Sequence, residues 1–249
     1  MLFIIFFLAV YIGINIYSYL TQEKKIFKSR YSKEFIPHKL KPIYFTTSDN
    51  VKLEGGYIKN GENLPLILYF SGNANNVLEF LEKTATKIKE FNFIAFNYPG
   101  YGKSQGTPSE KTILKYALEI ANYYNPDIIV GRSLGSAIAT YVASKTDKKL
   151  VLITPFDSIL NIAESRYPFL PIKLLLKHKF EEFQWIKKVN QPVNILAVEN
   201  DEIISQKNLE NLLKNIPNLN KLKIINNTSH AEIYKHPNII NILKEIFKF

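Results

Sequence analysis

The stretch Gly131-Arg132-Ser133-Leu134-Gly135 sets a serine between two glycines, after the β-branched run Ile128-Ile129-Val130 and before the small apolar residues of Ser136 to Val142. The first run reads as a buried strand and the second as a helix packed closely on a sheet. Glycines two before and two after the serine remove side chains where backbone segments crowd. Ser133 can then sit at the tip of a strained strand-to-helix turn. Its Oγ would point outward, beside the N–H of Leu134 at a helix start, where donors are unpaired and the helix dipole favours negative charge. Such a turn suits an activated nucleophile next to an oxyanion site.

A serine hydroxyl is a poor nucleophile until a base takes its proton, and a histidine base needs a carboxylate to hold its tautomer and stabilise the imidazolium. The chain has four histidines. His38 lies in a basic segment, His178 in Lys-rich "KLLLKHKF" and His236 before Pro237, so each reads as a surface or packing residue. His230, in the polar loop "NNTSHAEI", alone follows a strand-like run. For the acid, Asp201 in "AVENDEII" is favoured over Glu199, Glu202 and Asp157. Glu199 falls where the strand still runs, Glu202 is expected to point away, and Asp157 follows an earlier strand. Ser133, Asp201 and His230 then occur in the order Ser, Asp, His.

These residues need a frame to bring them together. The segment "IYFTTSDNVKLEGGYIK" reads as two strands joined at Ser48-Asp49-Asn50. Strands ("LPLILYF", "NFIAFNY", "DIIVG", "KLVLITPF", "VNILAVEN", "LKIINN") then alternate with helices ("NNVLEFLEKTATKIKEF", "SEKTILKYALEIANYY", "GSAIATYVAS"). The alternation predicts a mainly parallel, doubly wound α/β sheet with helices on both faces and the first hairpin as an antiparallel edge. In such sheets function gathers at the carboxyl ends of the strands. "FSGNANN", Ser133, "ENDEIIS" and "NNTSHAEI" all fall there.

A length of 249 residues, 46% of them hydrophobic, suits one domain plus an appendage. The appendage is "MLFIIFFLAVYIGINIYSYL", residues 1–20, uncharged and long enough to cross a bilayer as a helix. With neither a basic leading region nor a small-x-small cleavage site near Ser18-Tyr19-Leu20, it is expected to be an uncleaved anchor. Lys24, Lys25, Lys28, Arg30 and Lys33 follow at once, and the positive-inside tendency predicts a cytoplasmic domain. The expected division is an anchor at 1–22, a basic linker at 23–42 and the folded domain at 43–249. Lys and Arg are otherwise scattered, so the net charge of +10 points to anionic lipid rather than nucleic acid. With no cysteine, disulfides and thiolate sites are excluded.

Taken together, "YFSGNANN", "FNYPGYGKSQGTPSE", "VGRSLGS", "VENDEI" and "TSHAEI" make the chain resemble an α/β-hydrolase over Tyr69 to Ile233. The likeness is to small membrane-anchored serine esterases related to the acyl-protein thioesterase and serine aminopeptidase-like branches. It implies Ser133 as nucleophile, His230 as general base and later acid, Asp201 as its orienting partner, and the backbone N–H groups of Leu134 and Asn73 as the oxyanion hole. It implies no cofactor and no metal. Ser71 stands where relatives often have histidine, Asn97 where many have aspartate, and Ser229 where glycine is frequent.

Rival motifs fit less well. Gly102-Lys103-Ser104 matches the end of a phosphate loop, but Asn97 occupies its first glycine position and no helix start follows, so a turn beside the active-site loop is expected instead. No HExxH spacing supports a metal hydrolase. A peptidase of the same fold and an inactive membrane-tethered binding protein are the alternative readings. Residues 157–191 fall where the resemblance implies a lid, with room for two or three short helices. Tyr167, Phe169, Leu170, Leu174, Leu175 and Trp185 are candidates either for lining an acyl pocket or, equally, for ordinary core packing, and Lys173, Lys177 and Lys179 beside them would suit a bilayer surface. The expected substrate is a lipid-like or small-molecule acyl ester or thioester, or an acylated protein.

Overall fold

A computed structural model describes residues 1–33 and 35–249. Eight strands, β1 (Ile43–Thr46), β2 (Lys52–Ile58), β3 (Leu66–Phe70), β4 (Asn92–Phe96), β5 (Ile128–Arg132), β6 (Lys149–Ile153), β7 (Val193–Val198) and β8 (Leu219–Ile225), form one sheet. Its order is β1-β2-β4-β3-β5-β6-β7-β8. The hairpin pairs antiparallel within itself and with β4, and every other pairing is parallel. β4, β5 and β7 are buried along their whole length, as near-continuous apolar strands covered on both faces should be. The edge strand β8 instead alternates, with Leu222 and Ile224 on its more open side and Lys221 and Lys223 half-buried on the other, charges that discourage edge-to-edge pairing.

The helices are α1 (Leu2–Ile26), α2 (Ser29–Ser32), α3 (Val77–Lys83), α4 (Glu110–Tyr124), α5 (Leu134–Ala143), α6 (Ile159–Arg166), α7 (Ile172–Leu175), α8 (Glu182–Trp185), α9 (Gln206–Leu213) and α10 (Ile239–Ile246). The inward residues of α4, α5 and α9 share one core with Leu68, Ile94 and Ile129. Those of α3 and α10 share the opposite core with Ile67, Phe93 and Val130. The strand order reverses around β3, which opens a crevice at the carboxyl ends of β3 and β5.

Three elements differ from expectation. The helix expected over 75–91 stops at Lys83 and continues as a single 3₁₀ turn at Ala85–Lys87. The β-branched Thr84 and Thr86 resist the helix, and the Asn60 amide draws off the carbonyls of Ile88 and Phe91. β6 ends at Ile153 because Thr154 turns left-handed at φ 46°, and the last strand starts at Leu219, earlier than "LKIINN". Part of the basic segment is also built into the domain. Phe27 is buried against His178 and Phe180, and Ser32 takes the N–H of Gly102 on its Oγ and the Asn76 amide on its carbonyl.

α1 is long and apolar enough to cross a membrane. Its second half lies along the α6–α7 segment. Gln22 donates to the Leu175 carbonyl at 2.9 Å and accepts from the Lys177 N–H at 2.7 Å, and Tyr11 Oη donates to the Phe169 carbonyl at 3.1 Å.

Candidate active site

Ser133 stands between β5 and α5 with φ 51° and ψ −122°, a conformation that L-residues avoid. Two glycines make room for it. A Cβ on Gly131 would strike the Gly135 carbonyl, and one on Gly135 would strike the Phe70 carbonyl. The strained turn is held by the Ser133 N–H, which donates to the Ile153 carbonyl at 2.9 Å.

The loop after β8 brings His230 over this turn. Its Nε2 lies 2.9 Å from Ser133 Oγ, and its Nδ1 lies 2.8 Å from Asp201 Oδ2. Asp201 leaves the end of β7, and its other oxygen accepts from the N–H groups of Ile203 at 2.9 Å and Ile204 at 2.7 Å. The carboxylate is therefore fixed before it meets the imidazole. His230 is only 6% exposed, so the three side chains meet largely out of water. The structure brings the three residues named from the sequence into one hydrogen-bonded line.

The other acid candidates are engaged elsewhere. Asp157 is buried under the amides of Asn161, Asn208 and Asn211, where it ties α6 to α9. Glu199 is exposed. Glu202 does not point away: its carboxylate accepts from the N–H of His230 at 2.9 Å and of Ala231 at 3.4 Å. Burial pushes its carboxyl up, but these backbone donors outweigh it and hold the group below its ordinary range.

The loop after β3 forms the facing wall. Gly72 approaches so closely that a Cβ there would lie 3.6 Å from the Ser133 Cβ, and Asn73 and Leu134 both border the cavity above the serine. The loop is braced from below by the "NYPGYGKS" segment. Tyr98 Oη donates to the Ser71 carbonyl at 2.7 Å and Tyr101 Oη to the Asn73 carbonyl at 3.0 Å. Asn97 joins the α3 cap: its side-chain carbonyl takes the Val77 N–H at 3.0 Å, and its amide bonds Asn76 at 2.9 Å and Glu54 at 3.1 Å.

One contributor was missed in the sequence. Arg132 is 5% exposed, and its guanidinium bonds Asn75 Oδ1 and the His230 carbonyl, each at 2.8 Å, while lying over the Tyr234 ring at 5.1 Å. A cation beside the buried serine turn was its only signal.

Above Ser133 lies a cavity of about 480 Å³, within the range usual for small-molecule sites. Tyr167, Leu170 and Leu175 line it as expected, together with Ile159 and Ile162 of α6. Phe169 and Leu174 do not: they are 87% and 84% exposed, on the outside of the α6–α7 segment. Trp185 takes the other of its two readings, packing edge-on against Tyr141 of α5 at the margin of the core. A further wall comes from α1, through Ser18, Gln22 and Ile26.

A family model described as alpha/beta hydrolase fold matches residues 65–181. The alpha/beta hydrolase domain-containing protein WAV2 of Arabidopsis thaliana is 30% identical over 190 residues, covering 65% of this chain and 62% of its own. The lysophosphatidylserine lipase ABHD12 of Rattus norvegicus is 26% identical over 228 residues, covering 74% of this chain and 56% of its own. The chain thus spans about three fifths of the length of these relatives. Among solved structures, the Pyrococcus furiosus esterase Pf2001 superposes with a TM-score of 0.61 at 20% identity, over 84% of this chain and 89% of its own, a likeness of fold. The strand order, the strained serine turn between β5 and α5, the family-model match and these relatives agree, and the chain belongs to the α/β-hydrolase superfamily.

Proposed function

We propose that the chain is a serine hydrolase that cleaves a hydrophobic acyl ester or thioester through Ser133, His230 and Asp201. The observation that carries this reading is the unbroken line from Asp201 Oδ2 through His230 to Ser133 Oγ, with links of 2.8 and 2.9 Å. In this reading His230 Nε2 takes the proton as Ser133 Oγ attacks the carbonyl carbon, and the N–H groups of Leu134 and Asn73 receive the oxyanion. The leaving alcohol or thiol departs with the proton from His230. Water then gives a proton to His230 as it attacks the acyl-enzyme, and collapse of the second oxyanion frees the acid and returns the proton to Ser133.

The apolar lining of the cavity favours an acyl chain over a polar peptide, and the relative ABHD12 is itself named a lipase. The reading includes location: α1 crosses the membrane, and the Lys24, Lys25, Lys28 flank holds the domain in the cytoplasm.

The test is covalent labelling by a fluorophosphonate, comparing wild type with Ser133→Ala and His230→Ala. Labelling that requires both residues is expected, whereas a folded wild type that stays unlabelled would favour an inactive tethered binder. An acyl-length series of esters and thioesters then assigns the substrate, and turnover indifferent to chain length would remove the acyl-chain reading. Protease protection in sealed vesicles tests orientation, since digestion from the extracytoplasmic side would reverse it.

A further inference from the structure

We infer that the lid segment and α1 form one membrane-inserted face, so that the cavity over Ser133 is entered from the acyl-chain layer of a bilayer leaflet. The inference rests on the reading of α1 as a membrane-crossing helix and not on the chemistry at Ser133.

The uncharged run Leu2–Thr21 is twenty residues long. As a helix it spans about 30 Å, the thickness of the hydrocarbon layer. Tyr11 stands at its middle, and Tyr11 Oη bonds the Phe169 carbonyl at 3.1 Å. When this run lies in the bilayer, the turn between α6 and α7 is carried below the headgroups with it. That turn and α7 show the chemistry such a place demands. Phe169 and Leu174 are 87% and 84% exposed. The apolar side chains of α1 from Leu2 to Leu8 are uncovered as well, between 55% and 82% exposed. Lys173, beside Leu174, pairs with Glu164 at 3.8 Å, and its long stem lets the charge return toward the interface.

A basic and aromatic collar marks where the headgroups would lie. Lys25 stands 5.6 Å from the Tyr17 ring and 5.8 Å from the Tyr167 ring, bridging α1 and the lid, and Lys177 stands 4.4 Å from the Tyr19 ring. Lys25, Lys28 and Arg166 line the cavity, and among the described residues none of them has a carboxylate within ion-pair distance. Tyrosine and lysine are the residues that anchor proteins at an anionic membrane surface.

The cavity lies between these same two elements. Ser18 and Gln22 of α1 form one wall, and Tyr167, Leu170 and Leu175 of the lid form another. The Gln22 amide stitches them together at the foot, through Leu175 and Lys177. The seam between α1 and the lid therefore separates Ser133 from lipid, and a membrane-dissolved chain reaches the cavity without passing through water.

The chain has no cysteine, so Phe169→Cys and Leu174→Cys each accept a single environment-sensitive fluorophore, with exposed Asn122→Cys on α4 as reference. The full chain is reconstituted in vesicles of phosphatidylcholine and phosphatidylglycerol carrying nitroxides on the headgroup or midway along the acyl chain. The expected result is a blue shift at 169 and 174, quenching at least twofold stronger from the acyl-chain nitroxide than from the headgroup, and neither effect at 122. Protein that floats with the vesicles while 169 and 174 report water like 122 would overturn the inference and leave α1 as an anchor. Protein that does not float would remove the membrane reading and this inference with it, whatever the phosphonate labelling shows.

Discussion

The guanidinium of Arg132 donates to the backbone carbonyl of His230 at 2.8 Å, so the residue preceding the strained serine also grips the loop that carries the imidazole. Its other arm bonds Asn75 on the β3 loop, again at 2.8 Å. One buried cation therefore ties together the serine turn, the histidine loop and the proposed oxyanion wall. Arg132→Met should lower kcat by about 100-fold, the order expected when reacting groups shift by about an ångström, while KM for a short soluble ester changes little. Arg132→Lys should recover part of the loss. A KM effect with kcat intact would show that Arg132 acts in binding instead.

Asp201→Asn should leave the fold intact and reduce turnover by about 10⁴-fold, because the amide favours the wrong imidazole tautomer. Glu202→Gln, which weakens only the charge-assisted bonds to the His230 and Ala231 N–H groups, should cost about tenfold. Phosphonate labelling rates of the two variants check the ranking. Equal losses would mean that Glu202 does more than hold the loop.

The sheet and the Ser133, Asp201, His230 line were legible because they rest on local signals: apolar strands, glycines around a serine, and polar residues at strand ends. Arg132 and Glu202 were not, because their roles depend on which backbone atoms the fold presents to them 98 and 28 residues away. Phe169, Leu174 and Trp185 show the same limit from the other side. Their apolar type left pocket lining and core packing equally open, and only the docking of the segment between β6 and β7 on α1 and α5 decides which face looks inward. α1 itself read as a bare anchor, since nothing in an apolar run announces that Ser18 and Gln22 will wall a cavity.

The Tyr98 and Tyr101 phenols brace the β3 loop from beneath, and burial pushes both well above the ordinary tyrosine range, so they stay protonated donors at any working pH. Tyr98→Phe leaves the buried Ser71 carbonyl unpaired and should cost about 1–3 kcal/mol of stability. Tyr101→Phe loosens Asn73 and should lower kcat by about tenfold with a smaller stability loss. Denaturant melts alongside ester kinetics separate the two outcomes, and a Tyr101→Phe enzyme with full kcat would argue against Asn73 as an oxyanion donor.

Glu182 lies fully buried on α8, where Ser136 and Thr140 of α5 donate to it at 2.7 and 2.9 Å. Burial dominates these bonds and raises its carboxyl to about 8. The native state therefore keeps a proton that the unfolded chain releases near its ordinary value of 4.5. Where the native state binds more protons than the unfolded one, stability falls as pH rises. The contribution is full below about pH 4.5 and is lost as pH climbs to about 8. Glu182→Gln mimics the protonated form and keeps an acceptor for one hydroxyl, so it should flatten the decline over that window by on the order of a few kcal/mol. Unfolding free energies from urea titrations at pH 5, 6.5 and 8 give the measurement. Parallel pH profiles for wild type and Glu182→Gln would show that the carboxyl is ionised in the fold and that Ser136 and Thr140 alone sustain the buried charge.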